Sequence, residues 1–467
     1  MLLATQQLEQ INAASMRILG TVGIKVNRPS VLELLLREGC RPGPGTDTLL
    51  IPPELVSECL ERAPGQVHLA DMRGRRVTLG PGGPSLLWTC NALYVHDEKG
   101  TRPIDEEQFV RWTRLTDSLD NVHAAVAPTI CDYEPWRRDF VGFRLLAQNT
   151  TKHFRPCIYT PDGAVAILEM AQALIGGASL IDRPIVSFGY TIISPLQWSA
   201  PALELFEKTS GHGVPMMINA EPTAGATSPV TLAGTLTLAN AEALSGVVIT
   251  QLLEPGRPIV FNLGFSHTLD MRSAITRTGG PENGLLGAAG AQLAALHGLP
   301  SASWASTESM TVDQQASYEF ATVALMHAIA GVNIIWGVGQ LESQRAISLV
   351  KGVIDDEIAG AVLRAARGVQ VDEATIAESV ITQLGQKADY LAHEHTLERF
   401  RDEFFMPQVA FCGRRETWEH TGRATMADRA RARVSDVLSA PSEPKLPPDV
   451  AKSLEGIQDR WTRRLAR

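Results

Sequence analysis

The stretch Gly331-Val-Asn-Ile-Ile-Trp-Gly-Val-Gly-Gln-Leu-Glu-Ser343 decides how the chain is to be folded. Val332, Ile334, Ile335 and Val338 are apolar on both parities, as in a parallel strand covered on both faces. Gly337 and Gly339 let backbone approach a ligand closely. Trp336, Gln340 and Glu342 then stand where such a strand ends. An ordinary core strand followed by a turn would read the same way, because short apolar runs are common in buried strands.

The surrounding sequence repeats this pattern. Candidate strands are Val122–Ala127, Pro156–Tyr159, Ile185–Tyr190, Pro215–Asn219, Pro258–Leu263, Ser301–Ala305 and Asn333–Val338, with an eighth near Tyr390 to His393. Helical stretches lie between them, including Ala164–Leu174, Ala200–Thr209, Leu232–Leu253, Leu285–His297, Gln315–Ala330 and Ile354–Arg367. Strands roughly 30 to 45 residues apart, each with a helical connection, indicate repeated right-handed βαβ units. The fold class expected is α/β, a closed (β/α)8 TIM barrel, favoured over an open sheet by the strand count.

The ends of the chain differ from this middle. Residues 1–103 read as an N-terminal α+β layer, with an amphipathic helix over Leu8–Leu19, a second over Val31–Glu38 capped by Ser30, and a third over Pro53–Arg62. Short strands at Val67–Ala70 and Arg76–Leu79 complete it. Residues 104–425 would form the barrel and 426–467 a C-terminal helical extension. Within it the proline-rich Ala440-Pro-Ser-Glu-Pro-Lys-Leu-Pro-Pro448 reads as extended chain leading into a short polar helix that ends in Trp461, which would either dock a partner or pack on the barrel.

Composition narrows the function classes. Hydrophobic residues make up 44% and charged residues 20% of 467, which fits a folded chain with a sizeable core. A net charge of −9 with dispersed Lys and Arg argues against nucleic acid as a partner. The six cysteines, without a CxxC pair, read as free thiols of a cytoplasmic protein, a zinc site built from distant residues being the alternative. No secretory leader and no membrane span are expected. His393-Glu394-His395 reads as a helix start more readily than as metal ligands, and Asp355-Asp356-Glu357 as a solvated first helical turn.

In a barrel the reactive groups come from the strand ends. Those ends supply Tyr190, then Asn219 and Glu221, then Phe261, then Trp304 and Glu308, then Trp336, Gln340 and Glu342. Aromatic faces are the usual holders of quaternary ammonium groups, which cannot donate hydrogen bonds. Each residue has a plainer alternative: Phe261 and Phe265 as core, the three glutamates as braces or helix-start carboxylates.

Four segments then resemble the trimethylamine methyltransferase family: Glu221-Pro-Thr-Ala-Gly-Ala-Thr-Ser-Pro-Val-Thr-Leu-Ala-Gly234, Ala239-Asn-Ala-Glu-Ala-Leu-Ser-Gly246, Gly337-Val-Gly-Gln-Leu-Glu-Ser343 and His395-Thr-Leu-Glu-Arg-Phe-Arg-Asp-Glu-Phe-Phe-Met-Pro407. With Ile24-Lys-Val26 and Ile51-Pro-Pro-Glu-Leu-Val56, the resemblance spans nearly the whole chain in order. It implies a TIM-barrel enzyme that passes a methyl group from an amine to the cobalt of a corrinoid carried by a separate protein, with no tightly bound cofactor and no metal of its own. Founding members carry pyrrolysine near the segment matching Val338 to Glu342, where this chain has ordinary residues, Gln340 being a candidate for the position. It is thus similar to the non-pyrrolysine branch, which demethylates quaternary amines such as glycine betaine.

The difference has a chemical reason. A neutral tertiary amine is a poor methyl donor, whereas a quaternary ammonium releases a neutral amine and needs no general acid. The resemblance implies that Trp304, Trp336 and Tyr190, with Trp88 or Tyr94, hold the cation. Asn219, Gln340 and Gln315 are candidate donors to a betaine carboxylate, and Gln340, Glu342 and Glu308 are the candidate catalytic groups. A sulfonium donor, a folate acceptor, or a non-catalytic barrel that binds methylated amines are the other readings. Family barrels of this size often assemble, so a homo-oligomer is expected.

Overall fold

The computed structural model describes residues 2–387 and 389–466. Short apolar runs become eight parallel strands: Leu86–Thr89 (β1), Val122–Val126 (β2), His153–Arg155 (β3), Phe188–Thr191 (β4), Met216–Asn219 (β5), Ile259–Gly264 (β6), Ser301–Trp304 (β7) and Ile334–Val338 (β8). Their hydrogen-bonded order is β3-β2-β1-β8-β7-β6-β5-β4, and a parallel bridge between Phe154 and Val186 joins the two ends into a barrel. A helix follows each strand: Glu106–Ser118 (α1), Arg138–Asn149 (α2), Pro161–Leu174 (α3), Ala200–Thr209 (α4), Leu232–Leu253 (α5), Pro281–Leu296 (α6), Gln314–Ile329 (α7) and Leu349–Ala366 (α8). This is the (β/α)8 barrel expected from the sequence.

Three boundaries differ from that expectation. The first strand, Leu86-Leu-Trp-Thr89, lies inside the stretch assigned to the N-terminal layer, so the barrel begins at Leu86 and not near residue 104. Tyr390 to His393 is irregular chain ahead of the helix Glu394–Glu403 and is not a strand. The stretch at Gly331 therefore carries the eighth strand, not the seventh. The strand expected at Pro156–Tyr159 is instead His153–Arg155, because Pro156 has no N–H to give a ladder and ends it.

Helix α5 is apolar all round and is the one helix among the described residues long and apolar enough to cross a membrane. Its burial explains the composition: the N-terminal helices Thr5–Thr21 and Pro53–Arg62 cover the side that faces away from the barrel. The helix after Arg28 starts at Pro29, so Ser30 is not its cap but lies in its first turn and donates to Glu207. The hairpin Val67–Ala70/Arg76–Leu79 lies at the N-terminal end of the barrel, where the carbonyl of Ala70 meets Nδ1 of His153. The C-terminal helix Pro448–Leu465 packs on α2 and α3, with Trp461 buried and its indole N–H donating to Glu169.

Asp355-Asp356-Glu357 is not a solvated turn. It lies within α8, where Asp355 and Lys351 form an ion pair with both side chains fully buried. Asp355 also accepts the N–H of Gly339 at 2.7 Å, which ties the helix to the end of β8.

Candidate active site

Strand register brings the tryptophans together. Trp304 on β7 is level with Trp336 on β8, and Trp336 is level with Trp88 on β1. Their ring centroids lie 5.9 Å and 5.8 Å apart, and Phe265, just beyond β6, approaches Trp304 to 4.7 Å and Trp336 to 5.3 Å. Parallel strands in register place equivalent side chains side by side, so sequence-distant tryptophans become one aromatic wall.

This wall borders a cavity of about 290 Å³ at the C-terminal mouth, lined by Asn91, Arg155, Cys157, Tyr190, Thr191, Asn219, Glu221, Phe265, Trp304, Trp336 and Gln344 among others. Tyr190, Asn219, Glu221, Trp304 and Trp336 are thus brought together as expected. Asn219 accepts a hydrogen bond from Asn262 at 2.8 Å, which fixes its amide. Glu221 stands on the rim, 3.5 Å from His267, which is itself held by Asn283 and faced by Gln344. A second cavity of about 400 Å³ opens at the opposite end, under the hairpin, away from the βα loops that carry chemistry in this fold.

The other expected residues have different places. Gln340 is buried outside the cavity, and its side-chain oxygen accepts the indole N–H of Trp304. Glu308 accepts from the Thr278 backbone and hydroxyl and from Gly279, bracing the loop after β6. Glu342 accepts from Thr101 and adopts φ +55°, followed by Ser343 at +47° and Gln344 at +79°. Three successive left-handed residues outside glycine are a costly backbone, and here they carry Gln344 to the cavity. Phe261 sits on the outer face of β6 against His297, because strand alternation turns its neighbour Asn262 inward. Gln315 is on α7, bonded to Glu319. Tyr94 is on a side hairpin under Arg345, and Trp88 lies behind Trp336, away from the mouth cavity's lining.

Arg155 is the principal residue that sequence reasoning missed. It ends β3, is 7% exposed, and its guanidinium carbon lies 5.2 Å from the Trp336 ring centroid. It donates to the carbonyls of Pro156 at 2.8 Å and Gly189 at 3.3 Å. Burial pulls its pKa down to about 10, which leaves it charged at neutral pH. The signal available was Pro156: a proline that stops a strand makes the preceding residue the strand end. Among the described residues, no three His, Cys, Asp or Glu side chains converge as metal ligands, and His393 instead caps its helix.

Comparison with known proteins agrees with this architecture. The family model described as Trimethylamine methyltransferase (MTTB) matches residues 1–466. A trimethylamine methyltransferase of Desulfitobacterium hafniense (strain DSM 10664 / DCB-2) is 28% identical, covering 97% of this chain and 92% of its own. One from Methanosarcina barkeri is 29% identical over 98% and 94%. A glycine betaine methyltransferase of Desulfitobacterium hafniense (strain Y51) is 28% identical over 98% and 96%. The crystal structure of the Methanosarcina barkeri monomethylamine methyltransferase shares the fold, with TM-score 0.58 at 11% identity over 93% of this chain and 88% of that one.

Proposed function

The chain belongs to the trimethylamine methyltransferase family, and from that premise we propose that it takes a methyl group from a quaternary amine of the glycine betaine kind and delivers it to cobalt(I) of a corrinoid held by a separate protein. The observation that carries this reading is the aromatic wall of Trp304, Trp336 and Phe265 around a small cavity at the barrel mouth. Such a wall suits a cation that offers no hydrogen-bond donors. A glycine betaine methyltransferase among the relatives supports the same substrate class.

The chemistry asks little of the protein beyond position. The methyl carbon bonds to cobalt as its bond to nitrogen breaks, the C–N electron pair returns to nitrogen, and a neutral tertiary amine leaves. No proton moves. The chain's part is to hold the ammonium with one methyl toward the opening and to keep water away. A cavity of about 290 Å³ suits a small amine and not a corrin ring, so the ring would meet the methyl from above the mouth. Leu93, Ile193, Val230, Met271 and Ile275, all exposed in the segments that connect barrel strands to the following helices at that end, supply an apolar rim for the protein that carries it. A carboxylate near the ammonium can orient the donor but adds little to the rate, since it favours the ground state over a transition state whose charge is dispersing.

The test is anaerobic incubation with glycine betaine and reduced free cobalamin. Formation of methylcobalamin with one equivalent of dimethylglycine is the expected result. Methylation of a folate without cobalt would move the acceptor, and binding without turnover, even with a cognate corrinoid protein, would make the barrel a binding protein.

A further inference from the structure

We infer that Arg155 is the specificity-determining residue of the mouth cavity: it grips a carboxylate on the methyl donor and so fixes the donor with its anionic end inward and its methylammonium toward the rim. The inference rests on the proposed quaternary-amine reading and deepens it. Arg155 is 7% exposed and lines the cavity, yet among the described residues no carboxylate lies within ion-pairing distance of it. Two backbone carbonyls take two of its five N–H donors, and Nε–H has no partner. A buried guanidinium without a counter-charge is costly to keep, and the cost is relieved when an anion arrives. Glycine at position 189 makes the seat: a Cβ there would stand 2.8 Å from Nη2 of Arg155.

The cavity has opposite charges at different depths. Arg155 is sunk at the end of β3 beside Trp336, while Glu221 stands part-exposed on the rim, past the end of β5. A zwitterion whose carboxylate meets Arg155 and whose ammonium lies against Trp304 and Phe265, under Glu221, matches both. The opposite orientation would set a cationic head against a cationic guanidinium. A plain cation such as choline or tetramethylammonium lacks the group that Arg155 needs, and a site built around a buried charge rejects ligands that leave it unpaired.

Calorimetric titration of the whole protein with three ligands tests this. They are glycine betaine, choline, which keeps the trimethylammonium without the carboxylate, and 3,3-dimethylbutanoate, which keeps the carboxylate with a neutral tert-butyl head. Wild type is expected to bind glycine betaine at least roughly tenfold tighter than choline. Arg155→Gln should erase that preference, weakening glycine betaine and 3,3-dimethylbutanoate while leaving choline unchanged or tighter. Arg155→Lys should restore part of it. A wild type that prefers choline, or an Arg155→Gln protein that binds glycine betaine as tightly as wild type, would overturn the assignment. Binding of 3,3-dimethylbutanoate through Arg155 with no binding of glycine betaine or choline would keep the anion grip and remove the quaternary-amine reading.

Discussion

Gln340 stands outside the cavity lining and supports its wall. Its oxygen accepts the Trp304 indole N–H inside the core, and it stands next to Gly339, whose N–H is held by the buried Asp355. Replacing Gln340 with Leu would leave the indole N–H unpaired, at about 1–3 kcal/mol. The expected outcome in steady-state kinetics is a rise in KM for the amine of several-fold, with a lower melting temperature. Asp139 makes a second case. Its buried carboxylate accepts from Tyr159 N–H, Thr160 N–H and the Thr160 hydroxyl, and burial pushes its pKa up to about 6 from 3.8. The folded protein therefore holds this proton more tightly than the unfolded one. Stability from this group is full below pH 3.8 and falls as pH rises through about 6, by up to about 3 kcal/mol. Urea unfolding at pH 4.5 and pH 7 should show a smaller loss for Asp139→Asn than for wild type, and an equal loss would contradict it. The convergence of Trp304 and Trp336 at the mouth was legible because both stand at or near the ends of barrel strands. Arg155 was missed because Pro156 was read as the start of a strand and not as the stop that makes Arg155 the last residue of β3.

At the scale of elements, β8 depends on its glycines. Gly337 has φ +123°, and a Cβ there would lie 1.7 Å from the carbonyl oxygen of Ala305, just past the end of the adjacent strand β7. Gly337→Ala is expected to cost more than about 2 kcal/mol and to displace Trp336, seen as a lower urea midpoint together with lost amine binding. Helices were the most legible elements: Pro53–Arg62, Ala200–Thr209 and Leu232–Leu253 have the bounds their apolar patterns imply. Strand β1 was hidden because Leu86-Leu-Trp-Thr89 is short and follows a glycine-rich turn, so it reads as part of the preceding hairpin layer. Only its pairing with both β8 and β2 reveals it as a barrel strand. Alternation also misled at Phe261, since a strand buried on both faces gives no sign of which side is the interior.

Across the whole molecule, the barrel holds the site and the termini hold the barrel. Trp461 is buried where the C-terminal helix crosses α2 and α3, on the outside of the barrel wall. Trp461→Ala should cost about 3 kcal/mol and lower the melting temperature while leaving KM for the amine unchanged, which separates scaffold from site. Arg155, Trp304, Trp336 and Glu221, from different strands or the loops after them, line the mouth cavity, and under the proposed function they choose the amine and its orientation. A crystal structure of the protein soaked with glycine betaine measures this most directly. The expected electron density places the ammonium nitrogen within about 6 Å of the Trp304 ring centroid, its methyl groups toward the mouth and its carboxylate on Arg155. Density for the ligand at the opposite end of the barrel, or in the mouth with its carboxylate pointing outward, would contradict the account.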